Sequence, residues 1–265
     1  MNAAEKEGAV LASLRALGSV AVAFSGGADS SLVCSLAKEA LGDKAIAVIG
    51  MSPLDPIEEL GDARRTAGEI GIKLFEIEVP AMSDDRFVRN PADRCYYCKS
   101  LLFKAISDLG KKHGISSIAD GSTHDDLGDS RPGMRAKEEF HVISPLLEAG
   151  MTKEDVREIS RSRGLRTWDR PSAACLASRI PYGTEITEEL LDRIGRVERF
   201  LRENGFSQVR VRAHGDIARI EVDPEEMQRL LKMKDEVAKE LKKAGFIYVA
   251  IDLEGYRTGS MNEVL

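Results

Sequence analysis

A short glycine loop constrains the fold of this chain more than any other sequence feature. Residues 20–24 form an apolar run, residues 25–30 read Ser-Gly-Gly-Ala-Asp-Ser, and residues 31–41 have the pattern of a helix. A strand, a glycine turn and a helix start in this order point backbone N–H groups at one spot, where the helix dipole adds partial positive charge. The sequence therefore predicts an anion site here; the structural alternative is a tight turn before a capped helix.

The residue types in the loop suit a phosphate. Gly26 and Gly27 have no Cβ, so the backbone can approach a ligand closely. Asp29 and Ser30 have oxygens that can cap N–H groups or meet a metal or phosphate. The loop lacks the Gly-Lys-Ser/Thr ending of a Walker A loop. It resembles instead the SGGxDS loop of the PP-loop ATP pyrophosphatases, which split ATP between its α- and β-phosphates. That resemblance implies ATP and pyrophosphate binding at Ser25, Gly26, Gly27, Asp29 and Ser30.

Strand and helix patterns alternate through the first two thirds of the chain. We expect strands at residues 20–24, 44–49, 72–79, 115–119 and 141–143, separated by helices. This order predicts an α/β fold with a doubly wound parallel sheet and ligands at the carboxyl ends of its strands. The remainder follows the order αββαβ, which predicts a smaller α+β domain. We place the PP-loop domain at residues 1–170 and the C-terminal domain at residues 171–265.

Composition and charge narrow the class of protein. The 265 residues include 38 basic and 44 acidic ones, a net charge of −6, which argues mildly against a dedicated nucleic-acid binder. The N-terminal residues do not read as a signal peptide, and no apolar run approaches the roughly 18 residues of a membrane span. We therefore expect a cytoplasmic protein without structural disulfides.

An acidic segment follows the fourth predicted strand. Residues 120–133 contain four acids within ten positions, at the edge where a parallel sheet binds ligands. Hard carboxylate oxygens suit Mg²⁺, so Asp125 and Asp126 are candidate ligands for magnesium on ATP phosphates. The alternative is a solvated acidic loop.

The four cysteines fall into two groups. Cys34 lies among apolar residues of the helix after the glycine loop and is expected in the core. Cys95 and Cys98 form a C-x-x-C, which we place in an irregular segment before a helix, and Cys175 lies in a second irregular segment, residues 167–183. Spacing alone leaves three interpretations open: a zinc site short of its usual four ligands, a redox pair, or a [4Fe–4S] cluster with one iron open to sulfide.

Longer motifs make a family resemblance specific. In chain order they are SGGADS (25–30), NPADRCYYCK (90–99), DGSTHDDLGDSRPG (120–133), SPLLEAGMTKEDVR (144–157), WDRPSAACLASRIPYG (168–183) and VRVRAHGDIARIE (209–221). Together they resemble the LarE family, the ATP-dependent sulfur transferases of lactate racemase maturation. The resemblance implies adenylation of the carboxylates of pyridinium-3,5-biscarboxylic acid mononucleotide and their conversion to thiocarboxylates, which later bind nickel in the pincer cofactor.

The resemblance also implies roles for the cysteines. Cys175 matches the cysteine that gives up its own sulfur in one subtype and ends as dehydroalanine. In another subtype three cysteines hold a [4Fe–4S] cluster whose open iron carries a sulfide. Because Cys95, Cys98 and Cys175 are all present, we assign the chain to the cluster subtype. The implied cofactors are then ATP, Mg²⁺ and the cluster, with a sulfide donor as a partner.

A substrate-phosphate site is the last feature that the resemblance implies. Ser178, Arg179, Glu198, Arg210 and Arg212 match residues that the family places near substrate phosphate, metal or AMP. Two arginines two positions apart on a strand share a face, which suits a phosphate, although a solvated strand face is the alternative. Family members form homo-oligomers, often hexamers, and no membrane or nucleic-acid partner is expected.

Three rival functions fit parts of the sequence. Some tRNA thiolases combine an SGGxDS loop with three cysteines and a cluster, but net acidity and the absence of zinc-ribbon C-x-x-C pairs count against that class. An amide-forming ATP pyrophosphatase would use ammonia and leave the cysteines without a task. A regulatory module would bind ATP without releasing pyrophosphate.

Overall fold

The computed structural model describes residues 1–54, 57–128, 132–170, 174–257 and 259–263. The strands are β1 (Val20–Ala23), β2 (Ala45–Met51), β3 (Lys73–Glu78), β4 (Ile118–Ala119), β5 (Val209–His214), β6 (Ile217–Val222) and β7 (Tyr248–Ile251). The helices are α1 (Ala3–Leu17), α2 (Ala28–Leu41), α3 (Ile57–Ile70), α4 (Asp85–Val88), α5 (Arg94–Lys112), α6 (Gly133–Glu139), α7 (Pro145–Glu148), α8 (Lys153–Ser162), α9 (Glu188–Glu203), α10 (Met227–Lys232) and α11 (Lys234–Lys243).

These elements form two compact units. Among the described residues, the first contains 1–52, 57–81 and 93–170, and the second contains 53–54, 82–92, 174–257 and 259–263. Residues 82–92 thus group with the second unit, although they lie within the first predicted domain. The buried side chain of Asn90 explains this, because its amide donates to the carbonyl oxygens of Pro181 at 2.8 Å and Thr184 at 2.9 Å. Hydrogen bonds to residues about 90 positions later in the chain therefore join residues 82–92 to the second unit.

A parallel sheet organises the first unit. Its strand order in the described residues is β3-β2-β1-β4, with every neighbouring pair parallel. The predicted fifth strand is reduced to a single parallel bridge between Ala119 and Ile143. His141 explains the loss, because its φ of 50° lies in the left-handed region, which interrupts an extended strand.

Two apolar layers cover the two faces of this sheet. Side chains alternate along β2, so that Ala45, Ala47 and Ile49 enter one layer while Ile46 and Val48 enter the other. The first layer contains buried residues of α1, α2, α3, α7 and α8, and the second contains buried residues of α5 and α6. Helices on both faces of a parallel sheet confirm the predicted α/β doubly wound fold.

A three-stranded sheet forms the centre of the second unit. Strand β6 pairs antiparallel with β5 and parallel with β7. Helix α9 buries Leu191, Ile194, Val197 and Leu201 at helical spacing, which gives it one continuous apolar face. Within the described part of the chain, no helix is both long and apolar enough to cross a membrane.

Two helical glycines provide a test of how tightly α5 packs. A Cβ at Gly110 would lie 2.8 Å from the carbonyl oxygen of Ile115, whereas one at Gly68, in α3, would meet no atom within 4 Å. We expect Gly110→Ala to lower the free energy of unfolding by about 1–3 kcal/mol through overpacking. Gly68→Ala should raise it by up to about 1 kcal/mol, because alanine is the better helix former.

Urea-induced unfolding followed by circular dichroism measures both changes. Equal effects of the two substitutions would show that the contact between Gly110 and Ile115 is not a constraint on the fold.

Candidate functional site

The predicted anion loop lies at the carboxyl end of β1 and leads directly into α2. The Oγ atoms of Ser25 and Ser30 lie 3.0 Å apart, and the N–H of Gly27 donates to Ser25 Oγ at 3.3 Å. The first intrahelical bond runs from the N–H of Ser31 to the carbonyl of Gly27, so the N–H groups before Ser31 have no acceptor within the helix. Hydroxyls and N–H groups at a helix N-terminus form a site for phosphate oxygens.

Two glycines allow the loop to pack as closely as it does. Gly26 has a φ of +74°, and a Cβ there would lie 3.0 Å from the Cβ of Ala63 in α3. Gly121, just after β4, touches the helix start from another side, where a Cβ would lie 2.7 Å from the backbone nitrogen of Ser30. Any larger residue at either position would displace the loop.

Lys153 brings a cation to the loop. Its Nζ lies 2.5 Å from Asp29 Oδ2 and 3.7 Å from Asp126 Oδ2. Burial raises the pKa of the Asp29 carboxyl, and the charges of Asp126 and Asp125 add to the rise, although Lys153 opposes it. Ionising Asp29 therefore costs more free energy than ionising an exposed aspartate, which is typical of a functional carboxylate.

The two candidate magnesium ligands occupy different positions. Asp126 accepts hydrogen bonds from the N–H and hydroxyl of Thr123 and, with Asp29, faces the Lys153 ammonium. Asp125 is exposed and accepts the backbone N–H of Lys153 at 2.7 Å, at the start of α8. Asp129, another acid of this segment, lies outside the described residues. Among the described acids of residues 120–128, Asp126 is the one that shares the Lys153 ammonium with Asp29.

A buried lysine organises the segment behind the loop. Lys137 Nζ donates to Ser122 Oγ at 2.9 Å and Ser144 Oγ at 3.0 Å, and lies 3.2 Å from Asp120 Oδ2. Ser144 Oγ also donates to Asp120 at 2.7 Å. This network fixes residues 120–122, whose Gly121 contacts the start of α2.

The first three cysteines lie in helices. Cys34 is fully buried in α2, and burial raises the pKa of its thiol well above the usual range, so that it behaves as the expected apolar core residue. Cys95 and Cys98 lie in the first turns of α5, and not in an irregular segment before it as predicted. The helix starts earlier because nothing after Pro91 breaks it. Residues three apart lie on one helix face, which places both cysteines on the same side of α5.

Cys175 is fixed by the backbone around it. It directly precedes a short 3₁₀ turn, Leu176–Arg179, in the second unit. Arg179 Nη1 donates to the carbonyl oxygens of Ala174 at 2.8 Å and Cys175 at 3.2 Å, and to Ser178 Oγ at 2.8 Å. One guanidinium group thus sets the conformation of the chain at Cys175.

Two fully buried glutamates hold the arginines in place. Glu198 accepts bidentate bonds from Arg179 at 2.8 and 2.9 Å, and Glu221 accepts bidentate bonds from Arg212 at 3.0 and 2.7 Å. Arg212 also donates to the carbonyl of Ser178 at 3.0 Å. Burial alone would raise the pKa of Glu198, but the hydrogen bond and charge of Arg179 outweigh burial and lower it. Hydrogen bonds thus join four of the predicted substrate-site residues into one network: Ser178, Arg179, Glu198 and Arg212.

Burial disfavours the positive charge of Arg210, whereas Arg179 and Arg212 form bidentate ion pairs with buried glutamates. The Arg210 side chain is buried, donates to the carbonyl of Val209 at 2.8 Å and lies 5.2 Å from the ring centre of Tyr256. Burial and the charge of Arg179 lower the pKa of Arg210 to about 10. The protein therefore holds this positive charge at a cost that a bound anion would offset.

The structure adds residues that the sequence analysis did not single out. Lys153 and Arg170 reach the loop from distant parts of the chain, and Glu221 pairs with Arg212 across the β5–β6 hairpin. Lys153 and Arg170 both lie inside motifs noted above, but only the fold shows their partners. Within either unit, no three His, Cys, Asp or Glu side chains among the described residues form a group that could hold a metal ion.

The sequence is similar to several known proteins. Residues 6–87 match the family model described as asparagine synthase. Over 263 residues, 99% of this chain and 95% of the relative, the sequence is 38% identical to the pyridinium-3,5-bisthiocarboxylic acid mononucleotide synthase of Lactiplantibacillus plantarum. It is 43% identical over 246 residues to an uncharacterized protein of Synechocystis sp., covering 92% of each. An uncharacterized protein of Methanocaldococcus jannaschii is 31% identical over 239 residues, 90% of this chain and 91% of the relative.

The two β5 arginines should differ in their effect on stability. Arg212→Leu leaves Glu221 buried with only part of its compensating charge, which should lower the free energy of unfolding by about 3–5 kcal/mol. Arg210→Leu removes a charge that burial already disfavours but also loses the hydrogen bond to Val209, so we expect a smaller decrease, about 1–2 kcal/mol. Chemical denaturation of the two variants gives both values, and the reverse order of effects would contradict this description of the network.

Proposed function

Because the chain belongs to the LarE family of pyridinium-3,5-bisthiocarboxylic acid mononucleotide synthases, we propose that it is an ATP-dependent sulfur transferase acting on pyridinium-3,5-biscarboxylic acid mononucleotide. Its PP-loop fold carries an anion loop at the start of α2, within a sequence that is similar to such a synthase over 99% of its length. The proposal rests on the anion loop together with this similarity over nearly the whole chain.

The first step activates a poor electrophile. A carboxylate has no good leaving group, so its oxygen attacks the α-phosphorus of ATP, and the bond from that phosphorus to the oxygen leading to the β-phosphate breaks. Pyrophosphate leaves, and the carboxyl carbon is now attached to AMP. Ser25, Ser30 and the N–H groups of the loop suit the pyrophosphate, because donors at a helix start stabilise the charge that develops there. Lys153 adds a positive charge to the same place.

Magnesium is proposed to accompany ATP. Asp29 and Asp126 both face one point, which the Lys153 ammonium shares in the structure. Mg²⁺ commonly takes one or two carboxylates together with substrate phosphates and water, so this donor set suits it. Asp125 would then support the site by fixing the start of α8, through the backbone N–H of Lys153.

The second step delivers sulfur. A sulfur nucleophile attacks the carbon of the acyl-adenylate, the bond to the phosphate oxygen breaks, and AMP leaves. Repeating both steps on the other carboxylate gives the bis-thiocarboxylate. Arg179 holds the backbone at Cys175, and this restraint supports a role for Cys175 in sulfur delivery.

The substrate phosphate is proposed to bind at the arginine network of the second unit. Arg179 and Arg212 are already engaged with buried glutamates, and they hold Ser178 between them. Arg210 is the better ligand, because a phosphate would stabilise a charge that burial disfavours. Glu198 would act indirectly, by fixing Arg179.

For the sulfur donor we propose the three-cysteine version of the family chemistry. Cys95 is exposed and Cys98 and Cys175 are partly exposed, and thiolates are the ligands that soft metals prefer. Together they would hold a [4Fe–4S] cluster, which would supply an iron-bound sulfide as the nucleophile. A sulfide donor would then restore it.

The alternative donor is Cys175 itself. Its thiolate would attack the acyl-adenylate to form a thioester, and removal of the Cα proton would break the Cβ–S bond. The products would be the thiocarboxylate and dehydroalanine at position 175, so each molecule would act once.

The family resemblance also supports a homo-oligomer, for which light scattering is the direct measurement.

The inorganic product tests the proposed reaction. With ATP, Mg²⁺ and the biscarboxylate mononucleotide, we expect the protein to release pyrophosphate. Ser30→Ala should reduce that rate at least about 100-fold, because it removes a donor to developing charge. Ser35→Ala is the matched control, since its hydroxyl lies 3.4 Å from Arg163 and not at the loop. Release of ADP and orthophosphate by the unaltered protein would refute the proposal.

The cysteines test the sulfur donor. After anaerobic reconstitution with iron and sulfide, we expect Cys95→Ser, Cys98→Ser and Cys175→Ser each to lose sulfur transfer. Cys34→Ala should retain it, because Cys34 is a buried core residue. The unaltered protein should complete many turnovers with added sulfide.

Mass spectrometry after turnover separates the two donors. If Cys175 is sacrificed, the protein becomes lighter by the elements of hydrogen sulfide after one transfer. Full activity of a Cys95→Ala, Cys98→Ala double variant would rule out the cluster.

A further inference from the structure

Arg170 contacts the anion loop from a distant part of the chain. Its Nη1 donates to the carbonyl oxygen of Gly26 at 3.2 Å. Its Nη2 donates to Glu59 at 2.8 Å and to Asp62 at 3.1 Å, both in α3. The side chain is only 20% exposed, so water competes little for these three contacts.

The contact bears on the orientation of one peptide plane. In a trans peptide the C=O and the N–H point in opposite directions. With the Gly26 oxygen directed at Arg170, the N–H of Gly27 is directed to the other side, where it meets Ser25 Oγ at 3.3 Å. That is the side on which the serine hydroxyls of the loop lie.

This peptide needs an external restraint because glycine flanks it on both sides. Gly26 has a φ of +74°, and neither residue has a Cβ that would disfavour the opposite orientation of the plane. A reversed plane would turn the Gly26 oxygen toward the anion and remove one donor. Glu59 and Asp62 fix the guanidinium from α3, so Arg170 can favour one of the two orientations.

We infer that Arg170 is a positioning residue of the anion loop: it holds the Gly26–Gly27 peptide so that the N–H of Gly27 faces the phosphates of ATP. The inference rests on the proposed ATP chemistry but assigns a residue that this chemistry does not itself require. Because the loop contacts phosphates both before and during the reaction, Arg170 should affect binding of ATP more than the chemical step.

Steady-state kinetics and calorimetry test this role. We expect Arg170→Met to raise KM for ATP about tenfold or more, as expected for loss of a charged hydrogen bond, with kcat within about threefold of its original value. The Kd for inorganic pyrophosphate should rise by a similar factor. Arg166→Met is the matched control, because Arg166 makes an exposed ion pair with Glu69 at 3.0 Å on the same segment. It should leave both constants unchanged.

Two further variants separate loop positioning from the ion pairs. Arg170→Lys keeps the charge but lacks the planar fork that reaches both α3 and the loop, so we expect only partial recovery of KM. This variant also serves if Arg170→Met does not fold. A Glu59→Gln, Asp62→Asn double variant removes both negative charges but keeps side-chain oxygens that accept from Arg170, so Arg170 stays placed to donate to Gly26 and KM should rise by less than about threefold.

The outcomes distinguish this inference from the proposed function. An unchanged KM and pyrophosphate Kd in Arg170→Met, or full recovery with lysine, would overturn the positioning role while leaving the sulfur transferase intact. If the unaltered protein formed no pyrophosphate, the proposed reaction would fail, and the calorimetric comparison would still decide whether Arg170 prepares the loop for an anion.

Discussion

The backbone N–H groups at the start of α2 are the constraint on which the first unit depends. They have no acceptor inside the helix, so each needs a side chain, water or a ligand as its partner, and the N–H of Gly27 donates to Ser25 Oγ at 3.3 Å. Two glycines pack tightly around them: Gly26 lies against Ala63, and Gly121 lies against the backbone of Ser30. Behind them, the buried ammonium of Lys137 fixes residues 120–122. The carboxyl end of the parallel sheet thus holds a closely packed loop whose donors suit the phosphate oxygens of the proposed ligand.

In the second unit, buried ion pairs between arginine and glutamate hold the charged side chains in place. Glu198 and Glu221 are completely buried, and each is neutralised by a bidentate arginine. Guanidinium groups outnumber carboxylates in this network, which favours an anionic partner. Arg179 also donates to the backbone at Cys175, so the arginine network and the conformation of the segment that contains Cys175 depend on the same side chain.

Local patterns predicted most of the fold, and distant contacts account for what they missed. The alternation of apolar strands and helices indicated the doubly wound sheet, whose described strands all pair in parallel. The truncated strand at residue 143 follows from the left-handed backbone of His141, and α5 begins as early as Arg94, soon after Pro91. Periodicity encodes neither boundary. Within the site, the glycine loop was evident because its chemistry is contiguous. The contacts of Lys153 with Asp29 and of Arg170 with Gly26 join residues more than 100 positions apart in sequence, so only the folded chain reveals them.

The buried arginine–glutamate pairs also have an evolutionary consequence. When one member of such a pair is replaced, the other is left charged in the interior, whereas replacement of both by apolar residues of similar volume is often tolerated. A lineage that abandoned Arg212 would therefore pass through a poorly folded intermediate unless Glu221 changed at nearly the same time. Across relatives of this protein, these positions should be retained or lost as couples, so their pattern of covariation would record the network independently of any structure.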